Sequence, residues 1–334
     1  MSLFKRYILP RIIQWIVVIF VGTTVVFLVP RLSPMDPVQT TLSSMSSLGM
    51  ANPEAIRQME EVLMDLYGLR GTLLQQYLRF WSYLLKGDLG PSLVMFPAPV
   101  ISVIGTAMPW TIGLMLVSTI LAWLLGIALG TLTGYFADKT WAKILDAVIM
   151  CIYPIPNYIM ALMLLFLFAY TFPLFPFSGA AGIGIKPGFN RVCIGSVLKH
   201  GFLPALSMIL ITTGWRFISQ RALVTNVIGS DHVQYAELAA LPRRKIMLNY
   251  VFRDTLLPQT TDLALSLGSI FGGALITEFV FSYPGLGQIL YTAILQGDFN
   301  VIVGVSIFSI VGIATAALLI DLLYPLLDPR VRYH

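Results

Sequence analysis

The chain has 334 residues, of which 57% are hydrophobic and only 11% charged, and its mean hydropathy is +0.82. Soluble domains carry about 25% charged residues, so this composition excludes a soluble globular protein and points to a chain crossing a membrane several times. The formal charge of +5 sits between apolar stretches; it is a topology signal rather than a sign of nucleic-acid binding.

A helix needs about 20 mostly apolar residues to cross a bilayer. Six stretches qualify: 7–29, 108–136, 144–172, 203–228, 256–281 and 301–323. The first follows Lys5, Arg6 and Arg11 and has no small-residue cleavage site after it, so it reads as an uncleaved signal anchor. Residues 31–105 form a long insertion. Within it, Asn52-Pro53 reads as a helix start, with Ile56, Met59, Leu63 and Leu66 at helical spacing and Gly68 as the stop. A second amphipathic stretch, 74–85, holds Tyr77, Trp81 and Tyr83, residues that favour the membrane interface. This insertion reads equally as a structural cap or as a dock for an external partner.

Gly126, Gly130 and Gly134 form two overlapping GxxxG units in the second stretch, and Gly268 and Gly272 form another in the fifth, beside Gly273. Such spacing lets helix backbones approach. Six crossings put both termini on one side. Lys139, Lys143, Arg243, Arg244, Lys245, Arg253, Arg330 and Arg332 then share that side with the N-terminal cations, which makes it cytoplasmic. Lys186, Arg191 and Lys199 run against the bias. The expected fold is an all-α polytopic membrane protein, N-in and C-in. Its parts are a first helix (1–30), the extracytoplasmic helical insertion (31–105), a core membrane domain (106–328) with a cytoplasmic loop at 229–246, and a tail (329–334).

No GxxxxGK[ST] phosphate loop and no HExxH occurs, and His200, His232 and His334 are far apart, so neither ATP hydrolysis nor metal chemistry is indicated. Cys151 falls in an apolar stretch and Cys193 in a polar one; both read as unpaired. Arg216, Arg221, Asp262, Glu278 and Asp321 lie within the stretches. Most read as near enough to an end to snorkel or pair, and no pair of matching broken helices suggests an inverted repeat.

One loop stands out: GSDHVQYAELAALPRRKIMLNYVFRD, from 229 to 254. Asp231 and Gln234 have capping-box spacing. Val233, Ala236, Ala240 and Leu241 are expected on one face of a short helix, which Pro242 ends. Two short helices joined by a bend make a compact knob. It reads either as a connector with anchoring charges or as a plug for a cytoplasmic partner.

This loop resembles the EAA loop of ABC-importer membrane subunits, and more closely that of the dipeptide/oligopeptide/nickel permease family, in the branch of the first permease subunit. Arg221-Ala222, Asp231-His232-Val233, Ala236 and Leu241 fall in register, with Ala240 where the family has glycine and Ala239 where it has lysine. Pro242 is expected to make the bend that glycine would ease. Other family-like runs are RLSPMDP at 31–37, YLLKGDLGPSL at 83–93, FSYPGLGQILYTAI at 281–294 and DLLYPLLDPRVRY at 321–333.

The resemblance implies a type I importer permease that pairs with a second, homologous permease subunit as a heterodimer. Two cytoplasmic ATP-binding subunits supply ATP and Mg, no cofactor is bound by this chain, and an extracytoplasmic substrate-binding protein docks outside. It assigns Asp231, Val233, Ala236, Glu237, Ala240, Leu241, Arg243 and Arg244 to the ATPase-docking loop. The outer-gate candidates are Glu278 and the turn Tyr283, Pro284, Gly285, Leu286 and Gly287, which reads equally as a plain structural turn. Peptides are the expected cargo, with oligosaccharides or nickel as alternatives. An ion-coupled secondary transporter and a non-transporting membrane scaffold are the competing classes.

Overall fold

A computed structural model describes residues 8–32, 38, 53–66, 68–185, 188 and 190–327. Lys5, Arg6, Asn52, Lys186, Arg330, Arg332, His334, most of the 31–37 run and the end of the tail lie outside the described residues. Among those described, helices joined by turns and loops make up the chain, and the one extended pairing is a bridge between Pro91 and Pro99. Four helices are long and apolar enough to cross a membrane, five if one bent pair counts as a span.

The described chain divides into two compact units. The first comprises the described residues up to Thr111, 271–275 and 284–318. It contains α1 (Leu9–Leu32), α2 (Pro53–Leu66), α3 (Leu73–Leu85), the start of α4 (Val100–Tyr135), α12 (Leu286–Gln296) and most of α13 (Phe299–Leu327). Its core is Val100, Ile104, Ala107, Leu286, Ala293, Val301 and Val305. Trp15 on α1 donates to Thr315 on α13 at 3.1 Å.

The second unit takes 112–270, 276–283 and the chain from 319 on. It holds the rest of α4, then α5 (Thr140–Ile152), α6 (Asn157–Leu165), α7 (Arg191–Ile228), α8 (Asp231–Leu238), α9 (Arg243–Ile246), α10 (Phe252–Gly268) and α11 (Leu275–Val280, of which 276–280 belong here). The glycine ridge of α4 works as its spacing predicts. A Cβ on Gly126 would stand 2.6 Å from Arg216 Cβ, one on Gly130 2.7 Å from the Phe217 carbonyl oxygen, and one on Gly134 2.8 Å from Val224 Cγ1. Only glycine admits α7 that close.

Several expected stretches differ. The stretch 144–172 is not one helix: α5 and the α6 continuation to Thr171 meet at 97°. Pro154 and Pro156 at the corner remove two backbone donors and steer the preceding residues away from helical geometry. The stretch 256–281 is also broken. α10 ends at Gly268, a tight 3₁₀ turn covers Ser269–Gly272, and Gly273 takes φ 73°. Gly268 and Gly272 therefore mark a break rather than a packing ridge. α4 begins at Val100 and α7 at Arg191, both earlier than their apolar stretches; in α7 the extra turns carry Arg191, Lys199 and His200, which mask the helix in the hydropathy. Cys193 is buried near the start of α7, and Cys151 is exposed on α5.

Candidate functional site

The 229–251 segment folds as a bent knob. Ser230 is the N-cap of α8 and Asp231 its first helical residue, so the expected Asp231–Gln234 box does not form; Gln234 Nε2 instead donates to the Gly229 carbonyl at 3.2 Å. Exposed Asp231 sits in the first turn, where a carboxylate meets the positive end of the helix.

The helix stops at Leu238, one turn short of the expected face. Ala240 N–H donates to the Glu237 carbonyl at 2.9 Å and Leu241 N–H to the Ala236 carbonyl at 3.3 Å. Ala240 lies between them at φ 53°. This is a Schellman stop, with an alanine at the left-handed position that glycine usually fills. The bend is therefore made by Ala240 itself. Pro242 follows as the N-cap of α9.

Val233 is fully buried and Ala236 is 5% exposed; they pack with Val224, Ile246 and Val251, flanked by Tyr135, Tyr250 and Leu241. Of the predicted docking residues, these two hold the knob together and Leu241 closes its bend. Asp231, Glu237, Ala240, Arg243 and Arg244 are exposed. Two residues that the sequence reading missed stand out: Tyr235 is 71% and Leu238 82% exposed. The signal was present, since residues three apart on the face opposite Val233 and Ala236 are large and apolar. His232 Nε2 lies 2.9 Å from Asp254 Oδ2 and ties α8 to α10.

Above the knob, α7 is joined to its neighbours by a polar seam. Arg221 pairs with Asp146 at 2.6 Å. Gln220 Nε2 donates to Thr131 and Thr255, each at 2.8 Å. Trp123 Nε1 donates to the Gln259 carbonyl at 2.9 Å. Arg216 Nε stands 3.3 Å from Asp262 Oδ2, close as ions though not aligned as a hydrogen bond. Arg216 is 6% exposed and twelve residues from the end of α7, about 18 Å at helical rise. Of the two expected outcomes, snorkelling or pairing, Arg216 takes the second: it is buried and paired in place. Knob, α4, α7 and α10 thus form one packed body.

The predicted outer turn is formed but concealed. In the second unit Glu278 is fully buried and Tyr283 is 4% exposed, with Tyr283 N–H on the Glu278 carbonyl at 2.8 Å. Ser282 reverses the chain at φ 47° and is exposed. In the first unit Pro284 is half-buried, Gly285 caps α12, and Gly287 is buried. Leu286 is 2% exposed and donates its N–H to Thr111 Oγ1 at 2.8 Å.

Close by in the first unit is a cavity of about 340 Å³, lined among others by Thr106, Trp110, Gln288 and Asp298. Asp298 was not singled out from sequence. Its Oδ2 accepts from Ser92 Oγ at 2.7 Å and from the N–H groups of Leu93 and Val94 at 2.8 and 3.1 Å, while Oδ1 caps α13 through Val301.

The sequence profile of one family, the binding-protein-dependent transport system inner membrane component, matches residues 126–333. At full length the chain is similar to the oligopeptide transport system permease protein AppB of Bacillus subtilis (strain 168). The identity is 29% over 332 residues, covering 98% of this chain and 99% of that one. It is also similar to the oligopeptide transport system permease protein OppB of Haemophilus influenzae, 28% identical over 330 residues, with 98% and 99% covered. A third relative is the probable D,D-dipeptide transport system permease protein DdpB of Escherichia coli (strain K12), 28% identical over 331 residues, with 95% and 94% covered.

Proposed function

The chain belongs to the family of binding-protein-dependent transport system inner membrane components, and from that premise we propose that it forms one half of a membrane path for peptides, driven by ATP hydrolysis in separate subunits. Relatives named for oligopeptide and D,D-dipeptide transport support peptides as the cargo. The chain crosses a prokaryotic plasma membrane six times with both termini in the cytoplasm, the bent 144–172 stretch and the broken 256–281 stretch each counting as one crossing. A homologous second permease completes the path. An extracytoplasmic binding protein delivers cargo, and two ATP-binding subunits that hold ATP and Mg engage the knob.

The observation that carries this reading is the knob's two-sided construction. One side, Val233 and Ala236, is locked into the body of the second unit, while the other presents Tyr235 and Leu238. On the cytoplasmic side no lipid covers such a face, so a protein does. Force applied there passes through the Schellman bend and the polar seam into α4, α7 and α10 together. ATP shifts the path between two states only as far as the ATP-bound subunits prefer the knob in one of them.

Leu238→Glu in the assembled transporter is the test. A charge at the centre of a docking patch costs at least about 2 kcal/mol, or roughly 30-fold in affinity. The variant is expected to insert and pair with its permease partner, to lose the ATP-binding subunits on purification, and to lose uptake. Wild-type uptake with the subunits still attached sinks the reading.

A further inference from the structure

Helix α3 begins sharply. Gln75 N–H donates to Thr72 Oγ1 at 3.4 Å and Thr72 N–H to Gln75 Oε1 at 3.1 Å, a reciprocal cap. No residue of α3 is buried, yet the helix has three distinct faces. Gln76, Tyr77, Phe80 and Trp81 meet α1. Leu74, Leu78 and Leu85 form an apolar stripe, 66, 61 and 81% exposed. Gln75, Arg79, Ser82 and Lys86 form a polar stripe, all exposed.

The contacts with α1 set a depth. At the end of α1, Arg31 Nε donates to Gln76 Oε1 at 3.0 Å, and its guanidinium lies 3.7 Å from the Phe27 ring centroid. Burial lowers the Arg31 pKa to about 10, which leaves it a cation at neutral pH. One to two turns further in, Tyr77 meets the Phe27 ring edge-on at 5.1 Å and hydrogen-bonds Thr24 at 2.8 Å. Further still, the Trp81 ring stacks on Phe20 at 5.5 Å. Phe20 lies nine residues inside Val29, where the apolar span of α1 ends. At helical rise that is about 13 Å, close to half of a ~30 Å hydrocarbon core.

A tryptophan held at that depth cannot belong to a helix standing clear of the membrane. α1 likewise exposes apolar side chains, with Val21, Val25 and Val29 52, 51 and 60% exposed. We propose that α3 is an interfacial anchor lying tilted in the leaflet at the Arg31 end of α1, with Leu74, Leu78 and Leu85 among lipid acyl chains and Gln75 and Arg79 toward the headgroups. The proposal rests on α1 being a membrane span and not on what is transported. It changes the reading of the 31–105 insertion, since this part of it lies in the bilayer rather than above it.

The occupant is lipid; a docked binding protein is the competing outcome. The test is spin labelling of the complete transporter in nanodiscs, with Cys151 and Cys193 replaced by serine. Nitroxides at Leu78→Cys and Ser82→Cys are compared with one at Val25→Cys on α1. Dissolved oxygen partitions into lipid, and a water-soluble nickel chelate does not. Position 78 is expected to match position 25, favouring oxygen over nickel by roughly tenfold relative to position 82, as for the two sides of an interfacial helix. If Leu78→Cys fails to assemble, Leu85→Cys gives the same readout. Equal nickel access at 78 and 82 overturns the proposal. So does shielding of 78 from both reagents, or its immobilisation on adding the binding protein. Nickel access at position 25 removes the membrane reading of α1 itself, and the proposal with it.

Discussion

In the knob at 229–251 Leu238 stands 82% exposed, whereas in the turn at 278–287 Leu286 is 2% exposed. Both lie in family-like runs, and both are leucines beside a left-handed or glycine-eased bend. The knob is built on an eight-residue helix with one side sealed by Val233 and Ala236, and its opposite side, Tyr235 and Leu238, stands exposed among the described residues. Leu286 belongs to the first-unit core, and its backbone N–H donates to Thr111 Oγ1. A motif thus marks a shape the chain must adopt. Whether that shape offers a surface or a brace depends on what packs around it.

Four substitutions sharpen this contrast, in falling order of effect. Gly130→Leu drives a side chain into the Phe217 carbonyl and Gln220. With no space to relax into, the variant is expected to lose the packed second unit and yield no monodisperse transporter in size-exclusion chromatography. Leu286→Ala removes a buried anchor. It is expected to cost about 2–5 kcal/mol, read as a lower Tm with the ATP-binding subunits still attached, which is the reverse of Leu238→Glu. Equal Tm for wild type and Leu286→Ala would break the comparison.

Asp298→Ala strips the cap of α13 and leaves the N–H groups of Leu93 and Val94 without their acceptor. About 1–3 kcal/mol of stability should go, with faster proteolysis near 88–99 as the local signature. The smallest effect has the opposite sign. Ala240→Gly relieves a left-handed alanine and is expected to raise knob stability by about 1 kcal/mol, seen as slower hydrogen exchange at Ala240 and Leu241. A loss of protection there would mean that φ 53° is not a strained position.

Much of the architecture is readable without coordinates. Hydropathy locates the long helices α1, α4, α7 and α13, and the glycine spacing in α4 announces a close neighbour. The breaks were harder to see. Pro154 and Pro156 sit inside an apolar run that reads as continuous, and the interruption at Ser269–Gly273 looks like a helix-packing motif. At the knob the composition announces a bent helical pair. It does not say that Ala240 rather than Pro242 makes the bend, because a left-handed alanine is disfavoured until Leu241 closes over Ala236.

By itself the sequence determined that this is a membrane protein, where the long apolar helices α1, α4, α7 and α13 run, and where its family-like runs fall. Those follow from side-chain transfer energies and chain-local spacing. Tertiary structure alone decided that Leu238 and Tyr235 face outward while Val233 and Leu286 face in, that Arg216 meets Asp262, and that Trp81 reaches Phe20. Each of these depends on which distant segment fills the space beside a residue, and a one-dimensional pattern carries no record of that neighbour.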